Sequence, residues 1–378
     1  MEGRRRRART TCVVAALLLC ASYSVATACA LCLGAFRSPV TERLVDLPFS
    51  VLAQRSADGR AYRVVAPIKG EKPADEMIAA EAIEFDDVTD VDATLLLVRD
   101  ESWSMWLGLG AVSVEHAGWL RRIAAEKRSA DMNADEWRAR VALMLPYLEH
   151  REPLVAAIAY GELAVAPYPA LIAAKSRLDA VSIRRWLANP RLTARQPLYL
   201  LLLGIAGDAS DAVALDRRLE TLWTGRDATY LASTLAADLQ LRGPSRMAWV
   251  DAKYMGDRLR STRELEAALL ALSVLGAANG AIPRVRVIQS YGLFIREHRE
   301  LAGLVASDLA AWQYWGAVPA YLALLKSNAK QHLESRVAVY AYLRQSPVGG
   351  SIDKDLPEFD ASEQPVGAER AIRLVLPQ

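Results

Sequence analysis

The spacing of apolar positions along the chain changes near residue 113, and the change divides it into two kinds of segment. Before that point the apolar runs are short. Phe49-Ser50-Val51-Leu52-Ala53 and Tyr62-Arg63-Val64-Val65-Ala66 flank Asp58-Gly59, a dipeptide that favours tight hairpin turns. Pro67-Ile68-Lys69-Gly70 ends the second run, and Ala93 to Val98 is apolar enough for a buried strand. The intervening acidic stretch (Glu81, Glu84, Asp86, Asp87, Asp90, Asp92) lacks the alternating carboxylates of a calcium loop and predicts a solvated strand edge and loop.

From Ser113 the period becomes helical. Ser113 is placed to cap a helix that carries Trp119, Leu120 and Ile123 on one face. A polar stretch from Lys127 to Asp135 follows, and the domain boundary is expected there. Helical spacing then predicts a first, divergent pair over Glu136 to Leu148 and Pro153 to Leu163, and two helices over Tyr168 to Arg177 and Asp179 to Ala188.

The body of the chain repeats itself. Apolar stretches end at Gly207, Gly243, Gly280, Gly316 and Gly350, at intervals of 36, 37, 36 and 34 residues. After the first four, a second apolar stretch begins: Ala212 to Leu222, Met247 to Met255, Val285 to Ile295 and Val318 to Leu325. Each glycine is expected to end its helix in the left-handed C-cap conformation, with Pro244 and Pro283 opening the next one. A single helical hairpin cannot bury both its faces, so such units must stack on their neighbours.

The termini change the arithmetic. Arg4 to Arg7 and Arg9, an apolar run from Cys12 to about Val25, and Ala26-Thr27-Ala28 form the pattern of a cleaved export signal over residues 1–28. The whole chain has a formal charge of +2, but removing that segment leaves 41 basic and 43 acidic residues, a net −2. The mature chain therefore carries no electrostatic footprint for nucleic acid, and no later segment has the length and apolarity of a membrane span. Residues 349–378, rich in Pro, Gly and acidic residues, predict an extended tail.

Candidate chemistry is sparse. Cys29 and Cys32 survive signal removal as Cys29-Ala30-Leu31-Cys32. A local disulfide suits an oxidising compartment. Lipidation of Cys29, the one route by which the mature chain would attach to a membrane, and redox chemistry are the alternatives. The four histidines (His116, His150, His298, His332) show no helical i+3 or i+4 pairing, so no metal site is expected, and His150 and His298 are assigned to solvated or capping places near helix ends. No nucleophile elbow, P-loop or dinucleotide fingerprint is present, so neither a catalytic residue nor a cofactor is assigned. Trp312, Tyr314 and Trp315 cluster at one inter-helix turn and are candidates for a partner surface, because Trp and Tyr are enriched at interface hot spots. Trp103 and Trp106 are candidates for a seam between the two domains.

The repeat length and the Gly/Pro punctuation resemble the HEAT-repeat class of α-solenoids over roughly residues 136 to 348. A closer resemblance is to exported bacterial HEAT-like proteins of unassigned function. It is carried by Arg151-Glu152-Pro153-Leu154-Val155-Ala156-Ala157-Ile158-Ala159-Tyr160-Gly161-Glu162, by Ala166-Pro167-Tyr168, and by Tyr62 to Glu71 after the CxxC. The small β region, residues 29–130, resembles the netrin/tissue-inhibitor type of OB barrel. The expectation is thus a mainly α, α+β protein in which a HEAT-like solenoid follows a small β domain. Its expected function is that of an exported, periplasmic or cell-envelope, non-catalytic scaffold for protein partners. The rival expectations are an envelope thiol oxidoreductase using Cys29 and Cys32, and an inhibitor or sensor acting through the β domain.

Overall fold

The computed structural model describes residues 39–70, 76–85, 93–127, 131–327, 332–347 and 349. Residues 1–28, read above as an export signal, lie outside these, as do Cys29, Cys32, Asp86 to Asp92, Gly350 and the residues after it. The protein is mainly α, with a small sheet near its start. Among the described residues no helix is long and apolar enough to cross a membrane. Two compact units emerge: Ser38–Arg140 with His150–Ile158, and Val141–Glu149 with the chain from Ala159 onward. The division falls inside two helices, later than the polar stretch at 127–135.

In the first unit, helix α1 (Pro39–Asp46) leads into strands β1 (Phe49–Arg55) and β2 (Ala61–Lys69), joined through Asp58 and Gly59 as the turn chemistry predicts. Then come β3 (Met77–Ala79), β4 (Ile83–Phe85), β5 (Leu95–Arg99) and β6 (Trp106–Ala111). The sheet order is β3-β2-β1-β5-β6-β4, and only β4 with β6 is parallel. β3 and β4 lie at opposite edges, yet only Ala80–Ala82 join them. Three residues span at most about 10–11 Å, so the sheet must curl until its edges approach. Val51, Ala53, Tyr62, Val64, Ile78, Ile83, Leu95, Leu97 and Trp106 form the core inside the curl. Leu52, Leu96 and Val98 alternate to the other face and are buried as well, which is why β1 and β5 are apolar without interruption. Helix α2 (Ala117–Ala124) packs on β2 and anchors there through Arg121 Nε, which donates to the Pro67 carbonyl at 2.9 Å.

Four elements here escape the sequence reading: α1 is not assigned by it, β3 and β4 are too short to show a period, and β6 is broken by Gly108 and Gly110. Trp106 is a β6 residue in the sheet core, 4% exposed, and Trp103 stands in a turn at 42%. Strand alternation turns Trp106 into the curl.

From residue 134 the chain is helical, with α3 (Ala134–Met144) and α4 (Pro153–Val165) divided between the two units, and from residue 196 onward its helices fall where the repeat predicts. After α3, α4, α5 (Tyr168–Ala173) and α6 (Ala180–Leu187) come the first members α7 (Gln196–Ala206), α9 (Leu231–Arg242), α11 (Thr262–Ala278), α13 (Ala306–Ala311) and α15 (Leu333–Gln345). Between them lie α8 (Ala209–Gly225), α10 (Met247–Val250, running on as a π-helix over Asp251–Met255), α12 (Arg284–Glu297) and α14 (Val318–Lys326). α9 packs against both α7 and α11, and α13 against α15. The central helices are buried almost all round: in α7 every residue from Leu198 to Ile205 is buried. Their neighbours α8 and α12 bury one stripe each, as helices on an outer layer do.

Gly207 and Gly243 are the C-cap residues of α7 and α9, but the left-handed conformation expected of the repeat glycines needs correction. Gly243 has a positive φ of 69°, but Gly207 is extended at φ −73°, ψ 179°. A Cβ on Gly207 would lie 2.6 Å from the Leu203 carbonyl oxygen and 2.7 Å from Asp211 Oδ2, so crowding is what excludes a side chain there. At the third repeat Asn279 takes the left-handed cap (φ 49°) and Gly280 merely follows it. At the fourth, Gln313 has the positive φ of 54°, and Gly316 sits in the next turn against the Tyr314 ring. Asn enters the left-handed region more readily than other residues that carry a side chain, so glycine spacing marked the turns without marking their strained residue.

Candidate functional site

Among the described residues of the first unit, a grouping of metal-ligand-type side chains lies where two chain segments meet. One is the short turn of 3₁₀-helix Val114–His116, capped by Ser113 and continued into α2. The other is His150-Arg151-Glu152, which precedes Pro153 at the start of α4. His116, His150 and Glu152 each bring one ligand-type atom into a group whose members all lie within 4.8 Å of one another.

The arrangement is held from outside. Ser113 N–H donates to Glu152 Oε2 at 2.8 Å, and Glu152 Oε1 lies 3.3 Å from His116 Nε2. The Glu152 amide donates to His150 Nδ1 at 3.2 Å. The two imidazoles meet edge to face, with centroids 5.0 Å apart and planes at 89°, and the Trp119 indole lies 6.2 Å from the His116 ring. His116 is 7% exposed. At the mouth Glu115 stands 3.6 Å from His116 Nε2 and accepts from Arg151 at 3.3 Å, both side chains being largely exposed. Two imidazoles and a carboxylate, one edge buried and the other open, make a set able to share a proton or to hold a metal ion.

Sequence spacing missed this grouping because His116 and His150 are 34 residues apart and the carboxylate belongs to neither helix face. Its one local trace is His150-x-Glu152 before a proline. The expectation of no metal-ligating set therefore differs from what the structure brings together.

The aromatic candidates in the second unit divide. Trp312 stacks on Tyr291, centroids 5.7 Å apart and planes at 8°, and its ring fills the space beside Gly276. Trp315 packs on Tyr342 at 5.1 Å. Tyr314 alone of the three is an exposed side chain, at 39%. Packing thus takes two of the three and leaves one for a surface.

Other polar groups serve the helices. Arg184 binds Asp208 and Asp211, the capping pair of α8, and the Ser210 hydrogen bonds, with Arg184 adding to them, hold the Asp208 carboxyl down at about 2. Asp238, fully buried, is bound by Arg242 and Arg246, and burial still pushes its carboxyl up. Glu149 accepts from both Arg195 and Tyr199. A cleft of about 520 Å³ near the start of α11 is lined by Arg258, Arg260, His298 and His332 among others. Arg258 pairs there with Glu297, and Arg260 with Asp257 and Glu264, so these cations already have carboxylate partners. His298 is not solvated: it ends α12, is 8% exposed and stacks on Phe294, and burial pushes its imidazole pKa down.

No protein-family model matches the chain, and neither a curated protein nor a solved structure matches it.

Proposed function

We propose that the chain is an exported, non-catalytic scaffold whose HEAT-like helical array presents a surface for protein partners. The supporting observation is the row of central helices. α9 packs on both α7 and α11, so each hairpin completes its core only through its neighbours, and the outer faces and turns stay available over a long stretch of chain. Tyr314 is the exposed aromatic of the expected turn and is the contact assigned to a partner. Export rests on the signal pattern over residues 1–28.

The test places a photo-crosslinking residue at position 314 in the full chain expressed in its own cells. The expected result is a specific adduct with one protein, reduced by Tyr314→Ala in a competing copy, while Tyr314→Ala leaves the melting temperature unchanged. Trp312→Ala, by contrast, removes a stacked ring and lowers the melting temperature, since a stacked aromatic pair contributes about 0.5–1.5 kcal/mol beyond its buried area. Adducts at position 314 no more abundant than at Val181, an exposed apolar residue of α6, would refute the assignment.

A further inference from the structure

We infer that His116, His150 and Glu152 form a binding site for a zinc ion. The ligand types are those zinc takes, with imidazole nitrogen and carboxylate oxygen at roughly 2.0–2.2 Å. Two ligands at such distances around a tetrahedral centre stand about 3.4 Å apart, and His116 Nε2 and Glu152 Oε1 are already 3.3 Å apart. The third ligand atom lies within 4.8 Å of both, and closing the set requires the His150 side chain to turn toward them.

The surroundings supply what a metal carboxylate needs. Glu152 Oε2 accepts the Ser113 amide at 2.8 Å, which fixes the carboxylate plane and leaves Oε1 for the ion. Trp119 beside His116, and the near-complete burial of that histidine, lower the local dielectric and strengthen the attraction between cation and carboxylate. Binding carries a local cost at His150. Nδ1 of His150 accepts the Glu152 amide, so either that hydrogen bond is exchanged for the metal bond or the ring turns over. Three protein ligands would leave a fourth position for water or for the Glu115 carboxylate, whose Oε1 lies 3.6 Å from His116 Nε2.

The ion ties the Val114–His116 turn to the segment that starts α4, linking positions 34 residues apart within the first unit. Because the unfolded chain does not hold these groups together, binding stabilises that unit. This inference is independent of the scaffold proposal: a zinc site without a partner, or a partner without zinc, separates the two.

The experiment uses the tag-free full chain, stripped with chelator, dialysed against zinc chloride and assayed for bound metal by plasma mass spectrometry. Cobalt(II) substitution reports the geometry through its visible absorption. The expected result is about one zinc per chain, intense tetrahedral cobalt bands, and a melting temperature raised by zinc. His150→Ala and Glu152→Gln should each weaken binding at least about tenfold, with circular dichroism of the metal-free proteins verifying that they fold. Cys29→Ser with Cys32→Ser is the companion variant, since a thiol pair also binds zinc, and it should keep the full stoichiometry. The inference is overturned if no zinc is retained, if the two ligand variants bind as the parent does, or if only the cysteine variant loses the ion.

Discussion

Gly204 lies in the middle of α7 where that helix crosses α9, and a methyl group there has nowhere to go. A Cβ built on it would stand 2.6 Å from Ala237 Cα and 3.1 Å from both Ala237 Cβ and the Ala237 carbonyl oxygen. Those are backbone atoms or fixed to backbone, so relief requires moving one buried helix away from the other. Overpacking of this kind costs about 1–3 kcal/mol, while replacing glycine by alanine inside a helix returns about 0.5–1 kcal/mol. The close approach wins, and Gly204→Ala should destabilise by about 1–2 kcal/mol, lowering the melting temperature by about 2–8 °C.

The control is Gly280→Ala. Its φ is not in the left-handed region and the nearest atom to an added Cβ is Ile172 Cδ1 at 3.9 Å, an ordinary contact. Alanine there restricts the unfolded chain and should stabilise by about 0.4–1 kcal/mol. Urea titration and thermal melting followed by circular dichroism measure both variants. A Gly204→Ala protein as stable as the parent, or a Gly280→Ala protein destabilised like a lost C-cap, would refute the assignment of glycine roles.

Two further perturbations test the helix interior. Asp308 accepts the Tyr291 hydroxyl at 2.5 Å, and burial raises its carboxyl pKa. A raised folded pKa contributes stability below the unfolded value, lost as pH climbs through the folded one. Asp308→Asn should therefore gain on the parent as pH rises above the ordinary carboxyl value of about 4, and a difference in melting temperature that does not change with pH above that value would contradict it. Ser261→Ala removes the cap of α11, in which the hydroxyl accepts the Glu264 amide at 3.3 Å and donates to Glu264 Oε2 at 2.8 Å. It should cost about 1 kcal/mol in urea unfolding, and no measurable loss would show that Arg260 and the Ser261 backbone amide are enough to hold Glu264 in place.

The sequence by itself determined the order and kind of most elements. Strand alternation located β1, β2 and β5, and helical spacing located the pairs from α7 to α15, because each depends on residues within one or two turns of one another. It determined that turns fall near the spaced glycines, but not which residue in each turn bears the strain. Asn279 and Gln313 carry a positive φ that a glycine-based rule assigns elsewhere. Short β3 and β4 carried too few residues to show a period, and the curl that joins them follows from sheet order, a property of the whole unit. Tertiary structure alone decided that Trp312 and Trp315 pack while Tyr314 stays exposed. It alone placed His116 beside His150 and Glu152. A ligand set shared between a 3₁₀ turn and a helix start has no spacing of its own, since the distance between its parts is set by how the chain folds between them and not by any period along it.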